Sequence, residues 1–128
     1  MNAPHQRRLP GRVGVPEAAA RTGHTPAGGA HGDAVLLDVR ELHEWQAGHA
    51  PRAVHLPLSA LAAGAPLPDA ARGTPLIVIC RSGNRSRQAA ALLAERGAVA
   101  VDVTGGMRDW ADAGLPVVDE HGRDGSVS

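Results

Sequence analysis

The chain has 128 residues, 43% of them hydrophobic, enough for one domain to bury about two thirds of the surface its unfolded chain exposes without a staple. Thirteen basic and thirteen acidic residues cancel, every basic residue is Arg, and Phe and Tyr are missing beside Trp45 and Trp110, so neither net charge nor base stacking favours nucleic acid. The N-terminus MNAPHQRR is polar, no apolar run approaches the ~18 residues of a spanning helix, and the lone cysteine excludes an internal disulfide, so a soluble, cytoplasmic protein with a free thiol and no membrane partner is expected.

Residues 1–12 mix Pro, Gly, Arg and Asn without periodicity and read as a flexible leader, with Arg7, Arg8 and Arg12 as a solvated basic stretch of no assigned function. The domain is expected over residues 13–118, and a flexible polar tail over 119–128. Val13 to Val15 predicts a short edge strand, and Pro16 with Glu17 behind it opens a brief Ala-rich helix to about Arg21. Thr22 to Gly32, with scattered Gly and Pro, is a loop. Ala34 to Val39 is an apolar run broken by Asp38, the pattern of a strand buried on both faces of a parallel sheet, and Arg40 lies at its carboxyl end.

Glu41 to Ala47 predicts a short helix with Trp45 as its core contact and Gly48 as its stop. Ala53 to Leu56 gives another strand, Ser59 to Ala63 a small helix, and Gly64 to Pro75 a loop with three prolines. Leu76 to Cys80 is the central strand. A helix then runs from about Asn84 or Arg85 to Arg96, stops at Gly97, and puts Ala89, Leu92 and Leu93 on one face. Val99 to Val103 is a further strand, and Thr104-Gly105-Gly106 turns into a last helix carrying Met107, a gap filler, and Trp110, a core anchor. Strands alternating with helices predict one α/β domain, a parallel sheet of four to five short strands with helices on both faces.

In open α/β sheets, ligands sit outside the carboxyl ends of the strands, and there the only cysteine, Cys80, is followed by RSGNRS. A cysteine with a pKa near ~8.5 is mostly protonated at neutral pH unless positive charge or a helix N-terminus favours the thiolate. Arg81, Arg85 and Arg87 are close in sequence, Gly83 permits the positive φ that lets successive N–H groups converge, and Ser82, Asn84 and Ser86 add small polar donors. Cys80 therefore reads as a nucleophile of lowered pKa inside an anion-binding loop. The opposing reading, an inert core cysteine, fits the residue type but not the polar loop that follows.

Asp38 and Arg40 are candidate supporting residues: either they orient the loop from the neighbouring strand end, or they are a helix cap and an ordinary surface ion pair. His43, His49 and His55 recur every six residues, which matches neither one helix face nor a usual zinc pattern, so no metal site is expected and His49 is given a structural hydrogen bond.

LIVI followed by CRSGNRS resembles the active-site loop of the rhodanese family. LLDVRELHEWQAGHAPRAVHLPL is similar to its Asp-Val-Arg and Gly-His-x-Pro segments, and GGMRDWADAGLPV to its closing Gly-Gly-x-x-x-Trp-x-x-x-Gly-Leu-Pro segment, so the resemblance spans about residues 35–118. It implies a single rhodanese-like domain in which Cys80 takes a sulfane sulfur from a small anionic donor such as thiosulfate, becomes a persulfide, and yields that sulfur to a thiophilic acceptor, a thiol or a protein. It also implies that the backbone N–H groups of Arg81 to Ser86 stabilise the persulfide, that Arg81 and Arg85 attract the donor, and that no cofactor is needed.

Ala50, Arg52 and Thr104 depart from the family's usual branched aliphatic, Gly and larger residue, all outside the loop. Two other readings stay open: a noncatalytic rhodanese-like binding or regulatory module, and a relay that passes persulfide to a protein. Tyrosine phosphatases place Arg six positions after the cysteine; here Ser86 holds that place and Arg85 comes one residue early, which disfavours phosphatase or arsenate reductase chemistry.

Overall fold

The computed structural model describes residues 11–25 and 32–127. Most of the expected leader (1–10), part of the first loop (26–31) and Ser128 at the end of the expected tail lie outside the described residues. Five strands, β1 (Arg12–Val13), β2 (Val35–Asp38), β3 (Val54–His55), β4 (Leu76–Ile79) and β5 (Ala100–Val103), form one parallel sheet in the order β1-β5-β4-β2-β3. Five helices, α1 (Val15–Arg21), α2 (Leu42–Ala47), α3 (Leu58–Ala62), α4 (Arg85–Glu95) and α5 (Gly106–Asp112), connect or follow them, and a short 3-10 turn spans Asp69–Ala71.

The apolar run of β4 is continuous because both of its faces are covered. Leu76, Val78 and Cys80 point to one cluster with Leu61 of α3 and Ala89, Ala90 and Leu93 of α4. Ile77 and Ile79 point the other way, to Val15, Ala18 and Ala19 of α1 and Met107 and Trp110 of α5. Alternation at period two thus divides one apolar strand between two cores. On α4 the buried positions are Ser86, Ala89, Ala90 and Leu93, one helical stripe that uses small residues where the helix meets the sheet. Gly97 follows that helix at φ 88°, a left-handed turn that other residues reach only under strain.

Trp110 is fully buried and donates its indole N–H to the Pro116 carbonyl at 2.9 Å, as a core anchor should. Trp45 is not one. It is half-buried on a helix that buries none of its residues, and it stacks on His49 with centroids 3.6 Å apart and on His55 at 4.8 Å. Gly48 ends α2 in an extended conformation, and its missing side chain leaves room for the Ser126 backbone.

Both ends of the domain carry more order than composition suggests. Arg12 belongs to β1, paired in register with Asp102. Residues 119–127 fold back on the end of α2: the Glu120 N–H donates to the Gln46 carbonyl at 3.0 Å and the Ser126 N–H to the Ala47 carbonyl at 2.9 Å. Among the described residues no helix is long and apolar enough to cross a membrane.

Candidate functional site at the end of β4

All five strands run parallel, so their carboxyl ends share one rim, and β4 at the centre delivers Cys80 to it. Cys80 is only 1% exposed. One side of its sulfur closes the apolar cluster over α4, and the other meets the loop. The Gly83 N–H donates to Sγ at 3.1 Å, and the N–H groups of Ser82 and Ser86 also favour its anion. Gly83 adopts φ 101°, as the converging amides require, and is buried; a Cβ there would lie 2.9 Å from Arg12 Nη2. Burial pushes the Cys80 thiol up, but hydrogen bonds offered to the thiolate by the Ser86 hydroxyl and by the N–H groups of Ser86, Gly83 and Ser82 pull harder, leaving it below its ordinary value.

Ser86 Oγ lies 3.4 Å from Sγ, and its O–H donates to Asp102 Oδ2 at 2.7 Å. Asp102, on β5, is buried and bound by Arg12 from β1: Nε donates to Oδ1 at 2.9 Å and Nη2 to Oδ2 at 3.1 Å. The same Nη2 donates to the Gly83 carbonyl at 2.8 Å. From the opposite side, the first turn of α5 grips the loop backbone, with the Met107 N–H on the Cys80 carbonyl at 2.8 Å and the Arg108 N–H on the Arg81 carbonyl at 3.0 Å. Gly105 and Gly106 take φ 81° and 59°, and any side chain at Gly106 would meet the backbone of Cys80 and Arg81. Gly106 is therefore what lets α5 approach the loop, while a side chain at Gly105 would meet Asp109 of α5 itself.

The loop residues named from sequence are not alike. Ser82 and Asn84 are exposed, Arg81 is half-buried, and Asn84 begins α4 without a side-chain capping bond. Arg85 turns to Glu44 of α2 in a two-pronged ion pair, Nη1–Oε1 2.6 Å and Nη2–Oε2 2.8 Å. The Arg85 hydrogen bond holds the Glu44 carboxyl at about 2 against the burial that opposes it. In this arrangement the guanidinium expected to meet a donor is spent on a carboxylate.

Asp38 and Arg40 are neither a helix cap nor a surface pair. Both are fully buried; Arg40 Nη2 donates to Asp38 Oδ2 at 2.8 Å and to the Gly48 carbonyl at 2.6 Å, fastening the end of β2 to the end of α2. The pair thus bears on the loop through the helix that carries Glu44. His49 Nδ1 bonds the Trp45 carbonyl and His55 Nε2 the Arg40 carbonyl, both at 2.7 Å, while His43 is exposed. Sequence reasoning gave no site role to Glu44 or Asp102, and it placed Arg12 in a solvated leader, whereas Arg12 binds Asp102 and the Gly83 carbonyl. A carboxylate inside the apolar run AVDV was a signal for Asp102, because a buried charge needs a partner; nothing local pointed to Arg12 or Glu44.

The family model described as Rhodanese-like domain matches residues 27–113. The maize (Zea mays) protein named Adenylyltransferase and sulfurtransferase MOCS3-2 is 40% identical over 92 residues, 65% of this chain and 19% of that protein. The chain therefore spans about a fifth of the length of that curated relative. A crystal structure of a rhodanese-related protein from Thermoplasma volcanium is 36% identical with a TM-score of 0.62, covering 69% of this chain and 86% of that one. The structure of an NAD-dependent persulfide reductase from A. fulgidus is 30% identical with a TM-score of 0.50, covering 61% of this chain and 14% of that one.

Proposed function

The chain belongs to the rhodanese-like domain family, and on that premise we propose that it moves a sulfane sulfur from thiosulfate or a similar donor to a thiophilic acceptor through a persulfide on Cys80. The observation that carries this reading is the convergence of three backbone N–H groups on one buried sulfur. Such a cradle stabilises a thiolate before transfer and a persulfide anion after it. In the first half-reaction the thiolate attacks the outer sulfur of thiosulfate; a Cys–S bond forms, the S–S bond of the donor breaks, and its electron pair leaves with sulfite. In the second, an acceptor such as cyanide attacks the outer persulfide sulfur, and the electron pair of that S–S bond returns to Cys80 as thiolate. No proton is exchanged in either step, so the cradle needs only to hold negative charge on sulfur.

A phosphatase would aim the arginine after its loop at a bound phosphate, whereas Arg85 here faces Glu44. That same ion pair favours one variant of the main reading, a relay that takes sulfur from a persulfide and hands it to a protein, since it offsets positive charge that a dianionic donor would use. Mass spectrometry after incubation with thiosulfate should show one added sulfur on Cys80, discharged as thiocyanate by cyanide and lost in Cys80→Ser. An adduct that transfers only to a protein acceptor selects the relay. No adduct with any sulfane donor leaves a binding module.

A further inference from the structure

We infer that Arg12 and Asp102 are a positioning pair for Cys80: by holding both carboxylate oxygens of Asp102, Arg12 lets the Ser86 hydroxyl turn its hydrogen from the carboxylate to the sulfur whenever the sulfur is an anion. The inference deepens the sulfur-transfer reading and rests on it for its purpose. Arg12 lies upstream of the residues matched by the family model, 27–113, and reaches the site because β1 joins the sheet beside β5.

A hydroxyl has one hydrogen to give. The Ser86 O–H donates to Asp102 Oδ2 at 2.7 Å, so toward the sulfur, 3.4 Å away, it presents a lone pair, a partner for a thiol and not for a thiolate. A thiolate or persulfide needs that hydrogen back. If Asp102, 1% exposed, depended on Ser86 alone, releasing it would strand a buried carboxylate. It does not. Oδ2, the oxygen that would lose the hydroxyl, keeps Arg12 Nη2 at 3.1 Å, and Oδ1 keeps Nε at 2.9 Å. Nη2 also binds the Gly83 carbonyl at 2.8 Å, so the same guanidinium braces the residue whose N–H meets the sulfur. The hydroxyl only reorients, and the thiol proton leaves to solvent.

Two other cations around the sulfur are paired with carboxylates. Arg85 pairs with Glu44 of α2, and Arg40 with Asp38 at the end of β2. Arg81 and Arg87 on the loop and α4, with Arg108 and Asp109 on α5, complete the set. Asp102 is joined to the sulfur through a single hydroxyl, about 6 Å along the two hydrogen bonds, so its neutralisation by Arg12 weighs directly on the thiolate.

The test is the pH dependence of iodoacetamide alkylation at Cys80 in the full chain, with Arg12→Gln, Asp102→Asn, the double variant and Arg12→Lys. A unit charge at this range shifts a titration by about one pH unit or more. Arg12→Gln should move the alkylation midpoint up by about that much, Asp102→Asn should move it down, the double variant should return near wild type, and Arg12→Lys should recover most of the Arg12→Gln change. A purely structural role would slow alkylation at every pH and shift both single variants alike, and either result overturns the pair. So does an unmoved midpoint in Arg12→Gln. If Arg12→Gln fails to fold, the near-isosteric Asp102→Asn decides, and a midpoint that stays or rises refutes the inference. Alkylation needs no sulfur transfer, so a missing persulfide adduct would sink the proposed function without touching this readout.

Discussion

Replacing Glu44 with Gln separates the electrostatic frame of the site from its packing. Glu44 gives both carboxylate oxygens to Arg85 and accepts the Glu41 N–H in a capping box at the start of α2. Its carboxyl is held at about 2 against an ordinary 4.5, first by the Arg85 hydrogen bond, with burial opposing. A depressed carboxyl contributes stability that is present above the unfolded value and disappears as pH falls toward the folded one, here from about 4.5 to about 2. The full shift corresponds to about 3 kcal/mol. Arg85 is 32% exposed and partly screened by water, so about 1–2 kcal/mol is the expected contribution.

Urea unfolding followed by far-UV circular dichroism, repeated between pH 7 and pH 2, reads this directly. Wild type should exceed Glu44→Gln by about 1–2 kcal/mol at neutral pH, and the gap should close by the acid end of the series. Two curves that stay parallel from pH 5 to pH 2 would show that the pair adds nothing through charge. The same variant releases Arg85, and one more cation for a dianionic donor should raise kcat/KM for thiosulfate about fivefold.

Two further outcomes follow from buried charge. Arg40→Met strips Asp38, at 0% exposure, of its partner and should cost about 3–5 kcal/mol in urea unfolding, most of it recovered when Asp38→Asn is added; an additive double variant would refute the pairing. His24 accepts the Arg52 N–H at Nε2, lies 2.8 Å from Thr22 Oγ1 through Nδ1, and is held down at about 4 by burial and then by Arg52. Since the unfolded chain takes up that proton first, the full shift corresponds to about 3 kcal/mol, and with His24 half-buried and partly screened the fold should lose about 1–2 kcal/mol between pH 6.5 and 4, a loss that His24→Gln abolishes.

How far each part of the site could be read from the chain depends on how far apart its partners lie. The strands and the long helix were legible because their periods are set by neighbouring residues: β4 is apolar without interruption, and α4 repeats its small and apolar residues every three or four positions. The turn at Gly83 was legible for the same reason, since one glycine decides where the adjacent amides point. Trp45 was misread because six residues of helix do not establish a face, and a large aromatic in α2 packs on imidazoles as readily as on a core.

The charged frame divides in the same way. Asp38 and Arg40 stand two residues apart and are legible together, although their burial is not, because it depends on distant packing such as the end of α2, where Arg40 meets the Gly48 carbonyl. Arg85 and Glu44 are 41 residues apart, Arg12 and Asp102 are 90, and neither pair has a local mark. These long pairs exist only once β1 lies beside β5 and α2 lies over the loop. The amide cradle for the sulfur is thus written locally around Cys80. The cations that set how much negative charge that cradle meets are supplied and offset by the rest of the fold, so substitutions far from the loop in sequence should alter the reactivity of Cys80 while leaving its amides in place.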